Sequence, residues 1–216
     1  MPIRLVIFDL DGTLIDSIAD ITDALNRALR PYGVKNLARD EVAGMIGEGA
    51  EKLVRKVVAK YNLALDVEEV VKSYNDNYSS HLTDNTALYA GAIEALEDLK
   101  DCRKALVSNK SEAFSRRILK EFGLEKHFDM VVCADTLPER KPSPMPILYV
   151  TSTLGVRPED TLIVGDSEID ILAGKASFIR TVALTHGYGK PGFHEDADFV
   201  ITTLSQLKNV IAKIGK

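Results

Sequence analysis

Residues 3–8 are apolar almost throughout and stop abruptly at Asp9, with Asp11 two positions on and Gly12 loosening the turn that follows. A short run that is apolar on both faces fits a strand covered by helices on each side, the setting of a parallel sheet. Two carboxylates at the tip of such a strand have no packing use, because desolvating a carboxylate costs several kcal/mol unless something pairs with it. The pair therefore calls for a cation, a shared proton, or both. It marks a metal-assisted reaction site within the first dozen residues.

Further apolar runs cover residues 105–107, 130–133, 161–164 and 181–184, with a shorter candidate at 199–201. Helical patterns separate them. Phe114, Ile118, Leu119 and Phe122 recur at helical spacing and stop at Gly123, while Ile147, Leu148, Thr151 and Leu154 stop at Gly155 and follow Pro144 and Pro146. Glycine past the last turn and proline at the first are natural helix punctuation. Leu204, Leu207, Val210, Ile211 and Ile214 predict a final amphipathic helix. Strand and helix alternate from about residue 90 onward, which predicts a doubly wound α/β domain.

Between the first strand and this set, strand signals are absent. Ser17 is placed to cap a helix with Ile18, Ile21, Leu25, Ala28 and Leu29 on its apolar face, ended by Pro31. Leu53, Val57, Val58 and Tyr61 keep the helical period, as do Val67, Val70, Val71, Tyr74 and Tyr78. Residues 16–84 are thus expected to form an all-helical insertion, with 1–15 and 85–216 forming the core. An insertion leaving the core beside the acidic turn is positioned as a lid, since open α/β sheets bind ligands outside their strand tips. The plain alternative is a helical layer with no gating role.

Composition narrows the partners. The formal net charge of -5 across 216 residues gives no basic stripe for nucleic acid. No apolar run reaches the ~18–20 residues needed to span a bilayer, and two acids so near the N-terminus are foreign to a secretory signal. Cys102 and Cys133 show no paired ligand spacing and read as buried, reduced thiols. A cytoplasmic protein, with no membrane and no nucleic-acid partner, is expected.

Three more strand ends carry polar groups. Residues 105–107 run into Ser108-Asn109-Lys110, and residues 161–164 run into Gly165-Asp166-Ser167-Glu168-Ile169-Asp170. Between them lies Arg140-Lys141-Pro142-Ser143-Pro144, just before a proline-initiated helix. Singly, Ser108 could be a helix cap, Lys141 a solvated charge, and Asp166 or Asp170 a cap for the next helix. Together, each at a strand tip or helix start, they fit surface decoration poorly.

The ordered set resembles the haloacid dehalogenase superfamily: Asp9 to Ser17 matches its first motif, Ser108 the second, Lys141 the third, and Gly165 to Asp170 the fourth. The resemblance implies a Rossmann-like core with an inserted helical cap. It implies that Asp9 attacks phosphorus to form an aspartyl-phosphate, and that Asp11 protonates the leaving alcohol and then takes a proton from the attacking water. It implies Mg²⁺ held by Asp9, the Asp11 carbonyl and Asp166, with Asp170 in support. Lys141 would neutralise Asp9 and the phosphoryl group, and Ser108 with the Asn109 amide would bind its oxygens. An acid at position 11 favours phosphatases and phosphomutases within the superfamily.

Asp9 to Ser17, Ile46-Gly47-Glu48-Gly49-Ala50, Tyr89-Ala90-Gly91-Ala92, residues 141–144 and Thr185-His186-Gly187-Tyr188-Gly189 look most like the bacterial phosphoglycolate phosphatase branch. That likeness implies a small phosphorylated metabolite as partner, a monomer or homodimer, and a cap loop in which Gly47 and Gly49 approach the substrate. Lys52, Arg55 and Lys56 are the nearby cations, with Lys52 the one expected to meet a substrate carboxylate, against the plain reading of a solvated helix face. Rival readings are a pyrophosphatase, a broad-range sugar or nucleotide phosphatase, a β-phosphoglucomutase-like enzyme, and a non-catalytic module that binds a phospholigand. One departure stands out: Phe178 occupies a position where the family usually has glycine.

Overall fold

The computed structural model describes residues 2–215. The first strand, β1 (Leu5–Phe8), is followed by the acidic turn and by a two-residue strand, β2 (Ile15–Asp16). Four helices come next: α1 (Ile18–Leu29), α2 (Arg39–Ala43), α3 (Ala50–Lys60) and α4 (Val67–Ser80). The chain returns through β3 (Ala87–Leu88), which pairs antiparallel with β2 so that Ile15 faces Leu88 and Asp16 faces Ala87. The helical insertion thus stands on a small two-stranded stem that the periodicity did not disclose, and its first strand begins inside the segment expected to belong to the core.

From there the alternation is regular. α5 (Ala92–Asp98), β4 (Arg103–Val107), α6 (Glu112–Glu121), β5 (Met130–Val132) and α7 (Met145–Leu154) come first. β6 (Thr161–Gly165), α8 (Glu168–Ala176), β7 (Arg180–Leu184), β8 (Phe199–Ile201) and α9 (Leu207–Ile214) complete it. Six parallel strands form one sheet in the order β5-β4-β1-β6-β7-β8. This is the expected Rossmann-like, doubly wound α/β core.

Alternation along β1 sends Val6 and Phe8 to one face of the sheet and Leu5 and Ile7 to the other. The second face is covered by Ile147 and Val150 of α7 and Ala173 of α8. The first is larger and includes Ile21 and Leu25 of α1, Leu53 and Val57 of α3, and Val70 and Tyr74 of α4. The insertion therefore shares a continuous apolar core with the sheet.

The linkers into and out of the insertion are joined by Asp20. Its buried carboxylate accepts hydrogen bonds from the backbone N–H of Asn85 and Thr86 at 3.0 and 2.8 Å and from the Thr86 hydroxyl at 2.7 Å. Ser17 occupies the position expected of a cap for α1, yet its hydroxyl makes no capping bond; it turns to Asp11 instead. Pro31 lies within a short 3-10 turn, Arg30–Tyr32, that continues α1 rather than stopping it. Cys102 is half-buried rather than buried, and both cysteines are free. Burial pushes the Cys133 thiol up to about 11, which leaves it an inert core group. No helix among the described residues is long and apolar enough to cross a membrane.

Candidate active site

β1 lies between β4 and β6, at the point where the strand order reverses, and Phe8 faces Leu106 on one side and Val164 on the other. That register brings Asp9, Ser108 and Asp166 to neighbouring strand tips, the crevice in which open α/β sheets bind ligands. All three are buried, as are Asn109, Lys141 and Asp170. The residues singled out in four separated motifs converge on one place.

Lys141 enters from the loop before α7. Its Nζ lies 2.9 Å from Asp9 Oδ1 and donates to Asp170 Oδ1 at 2.6 Å. The other oxygen of Asp170 accepts from the hydroxyl and backbone N–H of Ser167, closing a capping box at the start of α8. One carboxylate thus fixes the helix and the lysine together. Burial disfavours the Lys141 ammonium, but Asp170 and Asp9 outweigh that cost and hold the group above the ordinary lysine value.

Asp166 is held by two donors, the Thr13 hydroxyl at 3.1 Å and the Tyr188 backbone N–H at 2.6 Å. The turns that carry these donors come very close. A Cβ on Gly12 would stand 2.2 Å from Asp166 Oδ2, and one on Gly187 would stand 2.3 Å from it. Only glycine fits either place.

Asp9, Asp166 and Asp170 each offer an oxygen, and the three lie within 4.8 Å of one another. Burial pushes Asp9 up to about 7; Lys141 opposes the rise, and Asp170 and Asp11 add to it. Asp166 is likewise raised, first by burial and then by Asp9 and Asp170. Three buried acids against one lysine leave uncompensated negative charge. A cluster of hard oxygen donors with that balance fits a divalent cation.

Asp11 stands apart from this group. Its Oδ1 accepts from the Ser17 hydroxyl at 2.5 Å and pairs with Lys110 Nζ at 3.1 Å, while Lys110 also donates to the Tyr78 hydroxyl of α4 at 2.7 Å. Asp11 and Asp9 both line a cavity of about 370 Å³ between the strand tips and the helical insertion. Gly47, Gly49, Tyr74 and Tyr78 form part of the opposite wall. The Asn109 side-chain amide donates to Gly47 O at 2.9 Å and to Lys141 O at 2.8 Å, tying the insertion's loop to the strand tips.

A model of the haloacid dehalogenase-like hydrolase family matches residues 6–184. The chain belongs to that family. This hydrolase is 39% identical over 207 residues to a phosphoglycolate phosphatase of Aquifex aeolicus, with 94% of each chain covered. It is 38% identical over 221 residues to phosphoglycolate phosphatase 1 of Pseudomonas aeruginosa, covering 94% of this chain and 78% of that one. A crystal structure of a predicted phosphoglycolate phosphatase from Haemophilus somnus 129PT superposes with a TM-score of 0.91 at 28% identity, covering 96% of this chain and 97% of that one.

One residue expected at the hydrolase's site lies elsewhere. Lys52 does not line the cavity; on the exposed side of α3 it pairs with Glu48 one helical turn away, at 2.7 Å, and Lys56 pairs with the same acid at 2.6 Å. Lone cations on a helix take the nearest i,i+4 acid, and nothing in their spacing reports which face they occupy. Sequence reasoning gave no site role to Ser17 and Lys110 beside Asp11, Thr13 beside Asp166, or Arg140 on the cavity wall. Thr13 and Ser17 lay inside the first motif, and Lys110 and Arg140 stood beside motif residues, which was their only signal. Phe178 has a φ of +58°, in the left-handed region where a glycine would be at ease, and is 87% exposed just past α8.

Proposed function

We propose that this hydrolase is a Mg²⁺-dependent phosphoglycolate phosphatase that works through an aspartyl-phosphate on Asp9. The observation that carries the mechanism is the contact of Lys141 with Asp9, beside Asp166, at the strand tips where Asp9 and Asp166 line the cavity beneath the insertion. The relatives named phosphoglycolate phosphatase, 30–39% identical over 94–99% of this chain, support the substrate.

Asp9 Oδ attacks phosphorus and the ester P–O bond breaks. Asp11 delivers a proton to the departing alcohol oxygen and is left as the carboxylate. That carboxylate takes a proton from water as the water oxygen attacks phosphorus. The Asp9–phosphorus bond then breaks, releasing phosphate and restoring both groups. Lys141 offsets charge on Asp9 and the transferring group, and the Ser108 hydroxyl with the Asn109 N–H holds the equatorial oxygens. When bound by Asp9, Asp166 and the Asp11 carbonyl, with Asp170 behind them, Mg²⁺ supplies positive charge against the repulsion between two anions.

In this reading residues 16–84 form the cap, and Gly47 and Gly49 bring its loop against the substrate. The setting is cytoplasmic, which two free thiols suit, and the enzyme works as a monomer or homodimer. A steady-state panel of small phosphoesters, with and without Mg²⁺ and EDTA, tests the proposal. Phosphoglycolate is expected to give the highest kcat/KM, with activity lost in chelator. A flat profile would indicate a generalist, isomerisation of a sugar phosphate without phosphate release a mutase, and binding without turnover a silent module.

A further inference from the structure

Two cations line the cavity, and they are placed differently. Lys110 is occupied, paired with Asp11 at 3.1 Å and bonded to the Tyr78 hydroxyl at 2.7 Å. Arg140 is half-buried on the cavity wall, and among the described residues its guanidinium has no ion-pair or hydrogen-bond partner. The cavity's Glu51 does not answer it, because that carboxylate pairs with Arg55 on the same helix at 2.8 Å. A partly desolvated guanidinium with five free donors is poised for a bidentate anion.

Its position narrows the choice of anion. A Cβ on Gly49 would stand 3.0 Å from Arg140 Nη1 and 3.1 Å from the Asn109 carbonyl oxygen. The guanidinium therefore lies under the insertion's loop, beside the residue whose N–H is assigned to the phosphate. In the proposed mechanism the phosphoryl group is served by Lys141, Ser108 and the Asn109 N–H. What remains unserved is the rest of the substrate.

We propose that Arg140 binds the carboxylate of the leaving group and is a specificity-determining residue of the cavity, in the role that sequence alone gave to Lys52. The assignment rests on the phosphoglycolate reading above. Its chemistry follows from that substrate: an anion two carbons from the ester oxygen suits a planar, forked donor better than a point charge.

The test compares 2-phosphoglycolate with ethyl phosphate, which keeps the two carbons and lacks the carboxylate, in wild type, Arg140→Gln and Arg140→Lys. Arg140→Gln is expected to raise KM for phosphoglycolate by about 10- to 100-fold while ethyl phosphate hydrolysis stays within about threefold. Arg140→Lys should fall between, since it keeps the charge and loses the fork. An Arg140→Gln enzyme that keeps the wild-type preference, or loses both substrates equally, overturns the assignment; Arg140→Lys decides the matter if the glutamine variant does not fold. Wild type that does not prefer phosphoglycolate over ethyl phosphate overturns the substrate reading, and that result is visible before any variant is made.

Discussion

Lys141 Nζ lies 2.9 Å from Asp9 Oδ1, with the lysine buried and the carboxylate on the cavity wall. The same ammonium is 2.6 Å from Asp170, so its removal would strand two acids at once. Leaving a buried charge unpaired costs roughly 3–5 kcal/mol, and losing one preorganised donor to a reacting centre costs about 10²–10³ in rate. Lys141→Met should therefore lower kcat by at least about 100-fold and also lower the melting temperature. A kcat within threefold of wild type would deny Lys141 any part in the transfer.

The acidic group predicts how metal binding and pH interact. Asp9, whose ordinary value is 3.8, is pushed up to about 7 chiefly by burial, and Asp166 moves in the same direction. A carboxylate raised on folding holds its proton more tightly in the native state. Its stabilising share is complete below the unfolded value and disappears as pH rises through the folded one. The metal-free protein should lose melting temperature between about pH 4 and 7 from this source, and the increase on adding Mg²⁺ should grow over the same window because the ion competes with protons. An increment independent of pH would contradict it.

Asp11→Asn isolates the proton shuttle. The amide can still accept from Ser17 but can no longer take a proton from water. Turnover should fall by about 10²–10⁴. If leaving-group departure survives better than hydrolysis, phosphate should accumulate covalently on the protein, detectable as added mass after acid quench. An unchanged pH–rate profile in this variant would remove Asp11 as the acid and base.

The strand tips were legible because a both-faces-apolar run ending in polar residues is a pattern within a single segment. Asp9, Ser108 and Asp166 needed only that, and parallel pairing on either side of β1 did the rest. The stem of β2 and β3 was not legible, since two residues per strand carry no period. α2, at five residues, is short for the same reason. Lys52 and Arg140 show a different limit. Both are cations near plausible loops, and only the fold reveals that one meets Glu48 while the other faces the cavity. Ser17 sits in a cap position by sequence, but a half-buried acid six residues back proves the stronger partner for its hydroxyl.

Asp20 shows the same limit at long range. In sequence it is an acid in the first turn of a helix, favourable to the dipole and unremarkable. In the fold its carboxylate takes N–H and hydroxyl donors from Asn85 and Thr86, some 65 residues away. Asp20→Ala would leave the two buried Thr86 donors unsatisfied, at about 1–3 kcal/mol each before relaxation, for a net loss of about 3 kcal/mol. Denaturant titration measures it. A loss under about 0.5 kcal/mol, the range of an ordinary surface change, would show that the clamp carries no stability.

Phe178 offers the opposite experiment. Its φ of +58° places a residue with a Cβ where that atom crowds the following carbonyl, at about 1–2 kcal/mol, and its exposed ring recovers little by packing. Glycine removes the crowding but carries more freedom into the unfolded chain, a cost of about 0.5–1 kcal/mol. The balance favours Phe178→Gly by up to about 1 kcal/mol, or roughly 2–4 °C in melting temperature for a chain of this size. Kinetic constants should not move, because Phe178 lies beyond the far end of α8 from the Ser167–Asp170 cap. A lower melting temperature in the glycine variant would show that the exposed ring has a stabilising contact outweighing the backbone strain.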